Sequence, residues 1–441
     1  MDIMIAGAGT VGYSLAQTLS YKHSVIVIDK DIKKLDKLEE HIDLLTLQGD
    51  IENPQIYQNL NLECVDLFIA VTNSDEANLL ATLIVEDVVE VKKKIIRLKN
   101  DGFLKSHVLE KLSIDYAVFP DITTANKVKA LFAFPKANNV KMFHQTKHKL
   151  VSIRVQLDAQ LLYNVRDFNQ ENVFIVGIER GKTFFVPETE EPIYKDDLVY
   201  LFGDIETIKA ISNKLDDKMP SSIRKIAIFG ANTLAQKIAK ALIDKNLEIK
   251  MIEKDINRCK RASEVLHGKV TIINSAYEEQ RLFEEEGLKN ADMIIAAGHN
   301  DEKNIVKCME AKEYGIQKVV AVNNDKAYYH LMHKMGIVVV RGSKAGAHYA
   351  ILEKISSNYI VTQRHFCGGR GVLFMRKIYP DSELIGKLIK VAELGNAIVL
   401  LLREEKIYHL STTEQLLKDD IIVAFGELEF KEKIEQWIYT L

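Results

Sequence analysis

The stretch "GAGTVG" near the start of the chain contains three glycines at a spacing that could bind phosphate. It follows a short apolar run and precedes a helical pattern. In a dinucleotide-binding turn the first glycine permits the sharp bend, the second lets a pyrophosphate approach the backbone, and the third lets the helix pack closely. The free N–H groups and the dipole of the helix N-terminus favour an anion there. The predicted phosphate-binding residues are Gly7, Ala8, Gly9, Thr10, Val11 and Gly12.

An acidic residue, Asp29, ends the next apolar run. In a dinucleotide-binding fold a carboxylate at this position accepts hydrogen bonds from both ribose hydroxyls, and its charge repels a 2′-phosphate. The sequence therefore predicts that NAD or another adenosine nucleotide binds in preference to NADP.

Polar residues also stand at the ends of three later apolar runs. Gly49-Asp50 follows the third run, Thr72-Asn73 follows the fourth, and Arg97 lies in the fifth. Open α/β sheets bind ligands at the carboxyl ends of their strands, so we expect these side chains near the nucleotide. The segment "TNSDEAN" is equally typical of a helix N-cap, and the two roles are compatible. A buried guanidinium needs an anion, which for Arg97 would be a phosphate or a carboxylate of another subunit.

The composition limits the classes of partner. The 441 residues include 59 Lys and Arg against 62 Asp and Glu, which gives a formal net charge of −3. Because the chain has no dense basic stripe, nucleic acid is not an expected partner. The four cysteines are dispersed without metal-ligand spacing, as is typical of a reducing compartment, and we predict no metal site. We recognise no signal peptide and no apolar stretch long enough to span a bilayer, so we expect a cytoplasmic protein.

The opening pattern returns in the second half of the chain. The segment "KIAIFGANTLAQKIAKALIDKNLEIKMIEKD" places Gly230 where the first copy has Gly7, and Glu253 where it has Asp29. Later, "LFIAVTNSDEANLLATLIVED" reappears as "MIIAAGHNDEKNIVKCMEAKE", and "KDDLVYLFGD" reappears as "KDDIIVAFGE". Two copies of one unit therefore fill the chain.

Each copy has two parts with different patterns. The first part alternates Val/Ile-rich runs with helical patterns, as a parallel sheet with crossover helices requires. The second part has period-2 stretches and a terminal helical pattern, which favour a small α+β lobe. The segments "FPKANNVKMFHQTKHK" and "NKLDDKMPSSIRK" are predicted to be connections. We therefore predict an α/β fold of two tandem Rossmann-like domains, residues 1–135 and 222–355, each followed by a small α+β lobe, residues 140–217 and 360–441.

The second glycine turn departs from the first. Asn232 replaces Gly9, and Ala321 stands where Arg97 does. A side chain at the middle position crowds the place where a pyrophosphate would approach the backbone. The second copy is either a weaker nucleotide site or a scaffold repeat. Its candidate binding residues are Gly230, Ala231, Asn232, Thr233, Leu234 and Glu253.

The order of these segments resembles tandem RCK (also called KTN) and TrkA-C domains, a family of regulators of Trk potassium uptake systems. The resemblance covers essentially the whole chain and rests on "VTNSDEANLLA", on "IERGKTFFVPETEEPIYKDDLVYLFGD" and on the repeat order. By position, Gly7 to Val11 match the family's phosphate turn, Asp29 its ribose acid, and Thr72-Asn73 and Arg97 its later contacts. Gly230 to Leu234 and Glu253 match the second turn and acid.

The resemblance implies a regulatory function. A protein of this family is a peripheral, cytoplasmic subunit on the inner face of the cell membrane. It assembles as a homo-oligomer, a tetramer in the family, and gates a Trk-type potassium-conducting integral membrane subunit. The implied ligands are NAD(H), ATP and ADP.

Two other functions remain open from the residues alone. One is an NAD-dependent oxidoreductase, and the other is a nucleotide-responsive transcription factor. Tyr314 and Lys318 have the spacing of a short-chain dehydrogenase pair, but Gly315 breaks the helix between them. No nucleophile elbow, HExxH motif or P-loop is present in the sequence. We therefore predict no catalytic residue.

Overall fold

Two copies of one unit make up the chain, and each copy has a six-stranded parallel sheet followed by a five-stranded antiparallel sheet. The computed structural model describes residues 1–143, 145–157, 163–276, 281–356, 361–380, 382–391, 393–410 and 413–441. This architecture confirms the predicted α/β fold, with two Rossmann-like domains and two small α+β lobes. The predicted domain limits stay predictions.

The first parallel sheet has the strand order β3-β2-β1-β5-β7-β8. Its central strand is covered on both faces, with Ile3 and Ile5 in one core cluster and Met4 and Ala6 in the other. Alternate side chains of a strand point to opposite faces, so a continuous apolar run forms a strand between two helical layers. The elements are β1 Asp2–Ala6, α1 Thr10–Leu19, β2 Ser24–Asp29, α2 Ile32–Glu39, β3 Leu45–Gln48, α3 Pro54–Gln58, β4 Cys64–Val65, β5 Leu67–Ala70, α4 Asp75–Val88, β6 Glu90–Val91, β7 Lys94–Arg97, α5 Val108–Lys111, β8 Tyr116–Val118 and α6 Pro120–Ala133.

The first lobe contains an antiparallel sheet of order β13-β12-β15-β10-β9. The terminal helix begins at Asp204, whose carboxylate accepts hydrogen bonds from the N–H groups of Glu206 and Thr207 and so caps it. The elements are β9 Ala137–Met142, β10 Lys149–Arg154, β11 Tyr163–Asn164, β12 Val173–Arg180, β13 Thr183–Phe185, β14 Pro192–Ile193, β15 Leu198–Gly203 and α7 Ile205–Leu215.

The second parallel sheet repeats the order of the first, as β18-β17-β16-β19-β20-β21. The second lobe follows, with a sheet of order β22-β23-β28-β25-β26. The sheet elements and helices are β16 Lys225–Phe229, α8 Thr233–Leu242, β17 Glu248–Glu253, α9 Ile256–Leu266, β18 Thr271–Asn274, α10 Leu282–Glu285, β19 Met293–Ala296, α11 Asp301–Glu313, β20 Lys318–Asn323, α12 Tyr329–Lys334, β21 Val338–Arg341 and α13 Ser343–Ser356. The lobe elements are β22 Val361–Phe366, β23 Gly371–Lys377, β24 Leu388–Lys390, β25 Ile398–Arg403, β26 Lys406–His409, β27 Thr413–Gln415, β28 Ile421–Glu427 and α14 Lys431–Thr440.

One predicted connection is wrong. The segment "FPKANNVKMFHQTKHK" contains strand β9, which pairs with β10 at the edge of the first lobe sheet. Its lysines and asparagines obscured the strand, because an edge strand can carry polar side chains and still be fixed by backbone hydrogen bonds on one side. Ala137 and Val140 are the buried residues of this strand.

The two lobes pack face to face through aromatic side chains. The ring centroids of Phe202 and Phe425 are 5.1 Å apart, and those of Phe184 and Phe366 are 5.2 Å apart. These rings belong to one buried cluster that draws residues from both lobe sheets. The lobes therefore hold the two copies together at their C-terminal parts.

Each parallel sheet is also covered by the last helix of the other copy. Helix α6 follows the first sheet, but its buried Val128 and Leu131 lie in the core of the second. Helix α13 follows the second sheet and places Ala347 and Ile351 in the core of the first. Helix α6 also contacts α8, and α13 contacts α1. The two units therefore share their hydrophobic cores.

The helices are short. The longest in the described ranges, α4, α6 and α13, have 14 residues each. Among the residues that the structure describes, no helix is both long enough and apolar enough to cross a membrane.

Lys318 is a buried cation at the junction of the two units. Its side chain is inaccessible, and Nζ donates a hydrogen bond to the Ala137 carbonyl oxygen at 2.5 Å. Burial lowers the pKa of Lys318 from 10.5 to about 7, against the opposing charge of Asp216. In the unfolded chain the Lys318 side chain stays protonated over a pH range in which it has lost its proton in the folded chain. The Lys318 contribution to stability therefore rises with pH across that range.

We expect Lys318→Met to remove this rise. The measurement is the free energy of unfolding in denaturant between about pH 7 and about pH 9, compared with the wild type. The exposed Lys129, replaced by methionine, is the control and should keep the wild-type slope. Equal slopes for Lys318→Met and the wild type would contradict the prediction.

Candidate functional site

Two glycines of the first turn are required by its backbone geometry. Gly7 has φ 110°, a conformation that residues with a side chain rarely adopt. A Cβ atom at Gly12 would lie 1.8 Å from the carbonyl oxygen of Gly7, which is a severe clash. The first and third glycines therefore form the turn and let helix α1 pack against it.

Gly9 is different, because nothing in the fold requires a glycine there. Its φ of −68° and ψ of −174° suit any residue, and a Cβ atom would meet nothing within 4 Å among the described residues. The backbone of Gly9 therefore borders open space. A glycine at such a position leaves room for a ligand to approach the chain.

The N-terminus of helix α1 has free hydrogen-bond donors beside this space. In the described structure no side chain caps the helix, and its first turn contains no acidic residue. The first N–H groups of a helix have no partner within the helix, and the dipole adds positive potential there. An anion at Gly9 would satisfy both.

Asp29 lies at the end of β2 and contacts the turn directly. Its Oδ2 accepts a hydrogen bond from the Ala8 N–H at 2.7 Å, and its Oδ1 accepts one from the Asp31 N–H at 2.9 Å. Lys34 Nζ lies 3.5 Å from the same carboxylate. Each carboxylate oxygen can accept a further hydrogen bond, so these contacts are compatible with ribose hydroxyls. Asp29 fixes the glycine turn as well as being available to a ribose.

The remaining predicted residues of the first copy lie at one edge of the sheet. The strands are parallel, so β2, β3, β5 and β7 bring Asp29, Asp50, Thr72 and Arg97 to the same side as the glycine turn. The direction of strand addition reverses between β1 and β5, and open α/β sheets bind ligands at this position. A Cβ atom at Gly7 would lie 3.0 Å from Thr72 Cγ2, which places these two strand ends side by side.

Arg97 is a buried cation with no carboxylate within salt-bridge distance among the residues that the structure describes. Its side chain is 8% exposed, and its Nε has no hydrogen-bond partner among the described residues. Its Nη1 lies 3.3 Å from Asn73 Oδ1 and 3.5 Å from the Thr72 carbonyl oxygen, and both are neutral acceptors. Burial lowers the pKa of Arg97 because desolvation disfavours the charged form, and the more distant carboxylates of Asp121 and Asp75 oppose this shift only in part. An anion at this edge of the sheet would compensate that cost.

The polar segment after β5 caps helix α4 and also contributes to the site. Ser74 is the N-cap, and its hydroxyl accepts a hydrogen bond from the Ala77 N–H at 3.0 Å. Asn73 therefore does not cap the helix, and its side chain is directed to Arg97. Asp50 is exposed at the end of β3, where its Oδ1 accepts a hydrogen bond from the Glu52 N–H.

Asn78 is a positioning residue that sequence reasoning missed. Its Oδ1 accepts hydrogen bonds from the Thr72 N–H and hydroxyl, and its Nδ2 donates to the Arg97 carbonyl oxygen at 2.9 Å. It thus ties together the ends of β5 and β7. In the second copy Asn304 forms the matching bonds to Gly298 and Val322. Val322, and not the predicted Ala321, therefore occupies the position of Arg97. The signal was the asparagine that both repeats share.

The second glycine turn is closed by its own side chain. Asn232 has φ −69° and ψ 173°, nearly the same backbone as Gly9. Its Oδ1 accepts a hydrogen bond from the Ala235 N–H at 2.9 Å, and its Nδ2 donates to the Ala297 carbonyl oxygen at 2.6 Å. The asparagine therefore caps helix α8 and uses the N–H group that an anion would use.

Glu253 makes the same contacts as Asp29. Its Oε2 accepts a hydrogen bond from the Ala231 N–H at 2.9 Å, and its Oε1 accepts one from the Asp255 N–H at 3.0 Å. An acid at this position is thus explained by the shape of the turn in both copies. Of the remaining residues of the second turn, Gly230 follows β16 with φ 109°, and Thr233 and Leu234 begin α8.

The residues considered for a dehydrogenase are not brought together as a reactive pair. Tyr314 stacks on Phe283 with ring centroids 4.8 Å apart. Lys318 is inaccessible in β20 and bonds to the Ala137 carbonyl oxygen. Neither side chain lies at the glycine turn of its copy.

Solved structures share the whole architecture. The GsuK RCK domain matches with a TM-score of 0.63 at 16% identity, covering 100% of this chain and 95% of that one. The GsuK channel bound to NAD matches with a TM-score of 0.63 at 17% identity, covering 100% of this chain and 79% of that one. At such identities the likeness shows the fold.

Curated relatives match over nearly the full length. The Trk system potassium uptake protein TrkA homolog of Archaeoglobus fulgidus is 26% identical over 99% of this chain and 99% of its own length. The Trk system potassium uptake protein TrkA of Halomonas elongata is 25% identical over 97% and 94%. The family model of the TrkA-N domain matches residues 3–120 and 226–341. Because these residues make up more than half of the protein, the chain belongs to the TrkA-N domain family.

Proposed function

We propose that the chain is a regulatory subunit of a Trk-type potassium uptake system that binds a nucleotide at its first glycine turn. The single observation that carries the proposal is the contrast between Gly9 and Asn232. Two turns of almost identical backbone differ in that one helix N-terminus is free for an anion and the other is capped by its own side chain. Arg97, a buried cation at the same edge as the free N-terminus, supports the same assignment.

In the proposed site the phosphates lie against the N-terminus of α1. The N–H groups after Gly9 would hold them, and Arg97 would pair with a phosphate oxygen. Asp29 would accept the ribose hydroxyls while keeping its bond to Ala8. Asp50, Thr72 and Asn73 would form the rest of the rim. The proposed ligands are NAD(H), ATP and ADP, with NAD(H) favoured over NADP(H) because Asp29 repels a 2′-phosphate.

The effect of the bound nucleotide would be transmitted through helix α13, which packs on the parallel sheet of the other copy. The nucleotide would contact α1, α1 packs on α13, and α13 leads into the second lobe. Lys93 Nζ donates a hydrogen bond to the Lys354 carbonyl oxygen at 2.8 Å, which joins the first sheet to the end of α13. A ligand shifts the equilibrium between two arrangements only by its difference in affinity for them. Bound nucleotide would therefore bias how the two copies are held together.

The proposed partner is a potassium-conducting integral membrane subunit. The names of the two curated relatives described above, both Trk system potassium uptake proteins, support this assignment. We propose a non-enzymatic, cytoplasmic protein that docks on the inner face of the membrane as a homo-oligomer. The tetramer and the second nucleotide site at Gly230, Ala231, Asn232, Thr233, Leu234 and Glu253 stay predictions.

A nucleotide titration of the full-length protein tests the site. We expect NADH, ATP or ADP to bind at the first turn and not at the second, because Asn232 closes the second turn, and NADPH to bind at the first turn more weakly than NADH. The measurement is calorimetric titration with each nucleotide in the same buffer. Equal affinities for NADH and NADPH would overturn the role of Asp29, and absence of binding by any of them would overturn the proposed ligand class.

A further inference from the structure

A large cavity lies at the junction of the two copies, away from both glycine turns. It has a volume of about 960 Å³. Its walls come from α6 and β9 of the first copy and from β21, α13 and β22 of the second. Exposed residues at its edges, including Lys182 and Gly368, leave it accessible from outside.

The cavity is strongly cationic in a chain that is not. Its lining contains seven Lys or Arg residues and two Glu residues, an excess of five positive charges, whereas the whole chain has a formal net charge of −3. The two acids are already paired. Glu353 lies 3.2 Å from Arg364, and Glu179 lies 2.8 Å from Arg370.

Three cations at one end of the cavity have no such partner. Lys127 on α6, Lys141 on β9 and Arg341 at the end of β21 have no carboxylate within salt-bridge distance in the described part of the chain. Arg341 lies over the Tyr349 ring, with its guanidinium carbon 3.6 Å from the centroid, and its side chain also interacts with the Tyr329 hydroxyl. A guanidinium has five N–H donors, so further donors can serve a ligand. Like charges collected at a desolvated site repel one another, so this arrangement costs stability unless an anion joins it.

The other groups around these cations do not supply that anion. Burial and the positive charges of Lys141 and Arg341 together lower the pKa of Lys127 to about 8. The negative charge of Glu353 opposes this shift more weakly. Burial also lowers the pKa of Lys141 to about 8. The charge of Glu353 opposes that effect, and the charges of Arg341 and Arg364 add to it. His330 Nε2 and His333 Nδ1, which also line the cavity, are buried without a hydrogen-bond partner among the described residues.

We propose that this cavity binds a multiply charged phosphorylated small molecule, held by Lys127, Lys141 and Arg341, at a site separate from the glycine turns. Lysine and arginine together recognise phosphate oxygens through charge-assisted hydrogen bonds. The volume is at the upper end of small-molecule sites, roughly 300–1,000 Å³, and admits a molecule of nucleotide size.

The position of the site gives the ligand a structural effect. Two of its cations come from helix α6 and strand β9 of the first copy, and the third comes from strand β21 of the second copy. A ligand that bridges them stabilises one arrangement of the two copies and therefore raises the stability of the whole chain by mass action. A ligand in the cavity would thus stabilise the same interface between the two copies that helices α6 and α13 form.

Calorimetric titration with inorganic tripolyphosphate tests the proposal. The full chain carrying Gly9→Asn is the background, since that change should remove the first turn as a competing phosphate site. We expect one tripolyphosphate per chain, and a loss of affinity of at least about tenfold when Lys127→Met and Lys141→Met are combined, because each removed cation ends a charge-assisted hydrogen bond. Lys129→Met, an exposed lysine on the same helix, is the matched control and should leave the affinity unchanged.

Parallel titrations identify the source of the phosphate group. ATP binding more tightly than tripolyphosphate would show that the cavity accepts a nucleoside, and equal or weaker ATP binding would show that it recognises phosphate groups alone. Thermal unfolding without ligand confirms that the double variant is folded. We expect its midpoint to be no lower than that of the background, because two uncompensated cations are gone. If it does not fold, the single variant Lys127→Gln replaces it.

Two results would overturn the proposal. One is no binding of tripolyphosphate or ATP to the Gly9→Asn background, and the other is the same affinity in the double variant as in the Lys129→Met control. The pH dependence is a further check. Phosphate must stabilise the charged form of Lys127 and Lys141, so affinity should fall as the pH rises from about 7 to about 9 in the background. The double variant should lose this fall.

Discussion

Replacing Gly9 with asparagine is expected to abolish nucleotide binding at the first turn and to leave the protein folded. The second copy shows the reason. Asn232 has the backbone conformation of Gly9 and uses its side chain to cap the following helix. An asparagine at position 9 would therefore occupy the phosphate position and bond to the N–H groups that a phosphate needs. NADH titration measures the loss, and thermal unfolding measures the fold.

The fold should tolerate this change, which makes the result interpretable. A side chain at Gly9 meets no atom within 4 Å in the described structure, and its φ is negative. The matched control is Gly268→Asn, a glycine in the second copy with φ 68°, where asparagine is the residue best suited to replace it. Undiminished NADH affinity in a folded Gly9→Asn protein would show that the first turn does not bind the pyrophosphate.

Replacing Arg97 with methionine is expected to weaken nucleotide binding without lowering the stability of the unliganded protein. A charge-assisted hydrogen bond contributes about 1.5–3 kcal/mol, so the affinity should fall by roughly 10- to 150-fold. The unliganded protein loses a buried cation that has no carboxylate partner in the described structure, and methionine fills a similar volume. The measurements are NADH affinity and the free energy of unfolding in denaturant.

The control for Arg97→Met is Lys92→Met, which removes an exposed cation just before the opposite end of strand β7. Lys92 pairs with Asp66 at 2.8 Å and is distant from the glycine turn in the sheet. We expect it to leave NADH affinity unchanged. A marked loss of stability in Arg97→Met with no change in affinity would show that Arg97 supports the fold alone and has no phosphate partner.

Much of the fold could be predicted because its signals are local. Strands such as β1 and β5 are continuous apolar runs, and a run of that kind between helical patterns indicates a buried parallel strand. The repeat was visible in the sequence because the same three residues, Lys-Asp-Asp, precede an apolar run in both copies and end at Asp197 and at Asp420. In the structure these acids form the same ion pair, with Arg180 at 2.9 Å and Arg403 at 2.7 Å.

The exchange of helices could not be predicted in this way. The apolar faces of α6 and α13 show that each helix is buried, but not which sheet covers it. Val128 and Leu131 would suit either core, and the choice depends on how the two copies meet. Strand β9 was missed for a related reason, since it is fixed by its hydrogen bonds to β10 and not by an apolar pattern.

The sequence predicted which residues form the candidate site, but not what each of these residues does in the structure. The sequence assigned Asp29 to a ribose, and the structure adds that Asp29 holds the Ala8 N–H and so shapes the turn. The retained acid Glu253 therefore carries no information about binding in the second copy. The side-chain cap formed by Asn232 depends on the position of the Ala297 carbonyl, which belongs to a strand distant in sequence.

Potassium uptake at limiting external potassium tests the central proposal most directly. Cells lacking this protein are compared with cells that express the wild type, Gly9→Asn or the control Gly268→Asn at equal levels. If the chain binds a nucleotide at its first turn and thereby controls potassium uptake, uptake falls in cells that lack the protein. The wild type and Gly268→Asn then restore normal uptake, and Gly9→Asn does not. Uptake that is the same with and without the protein, or that Gly9→Asn restores as fully as the wild type, would contradict the proposal.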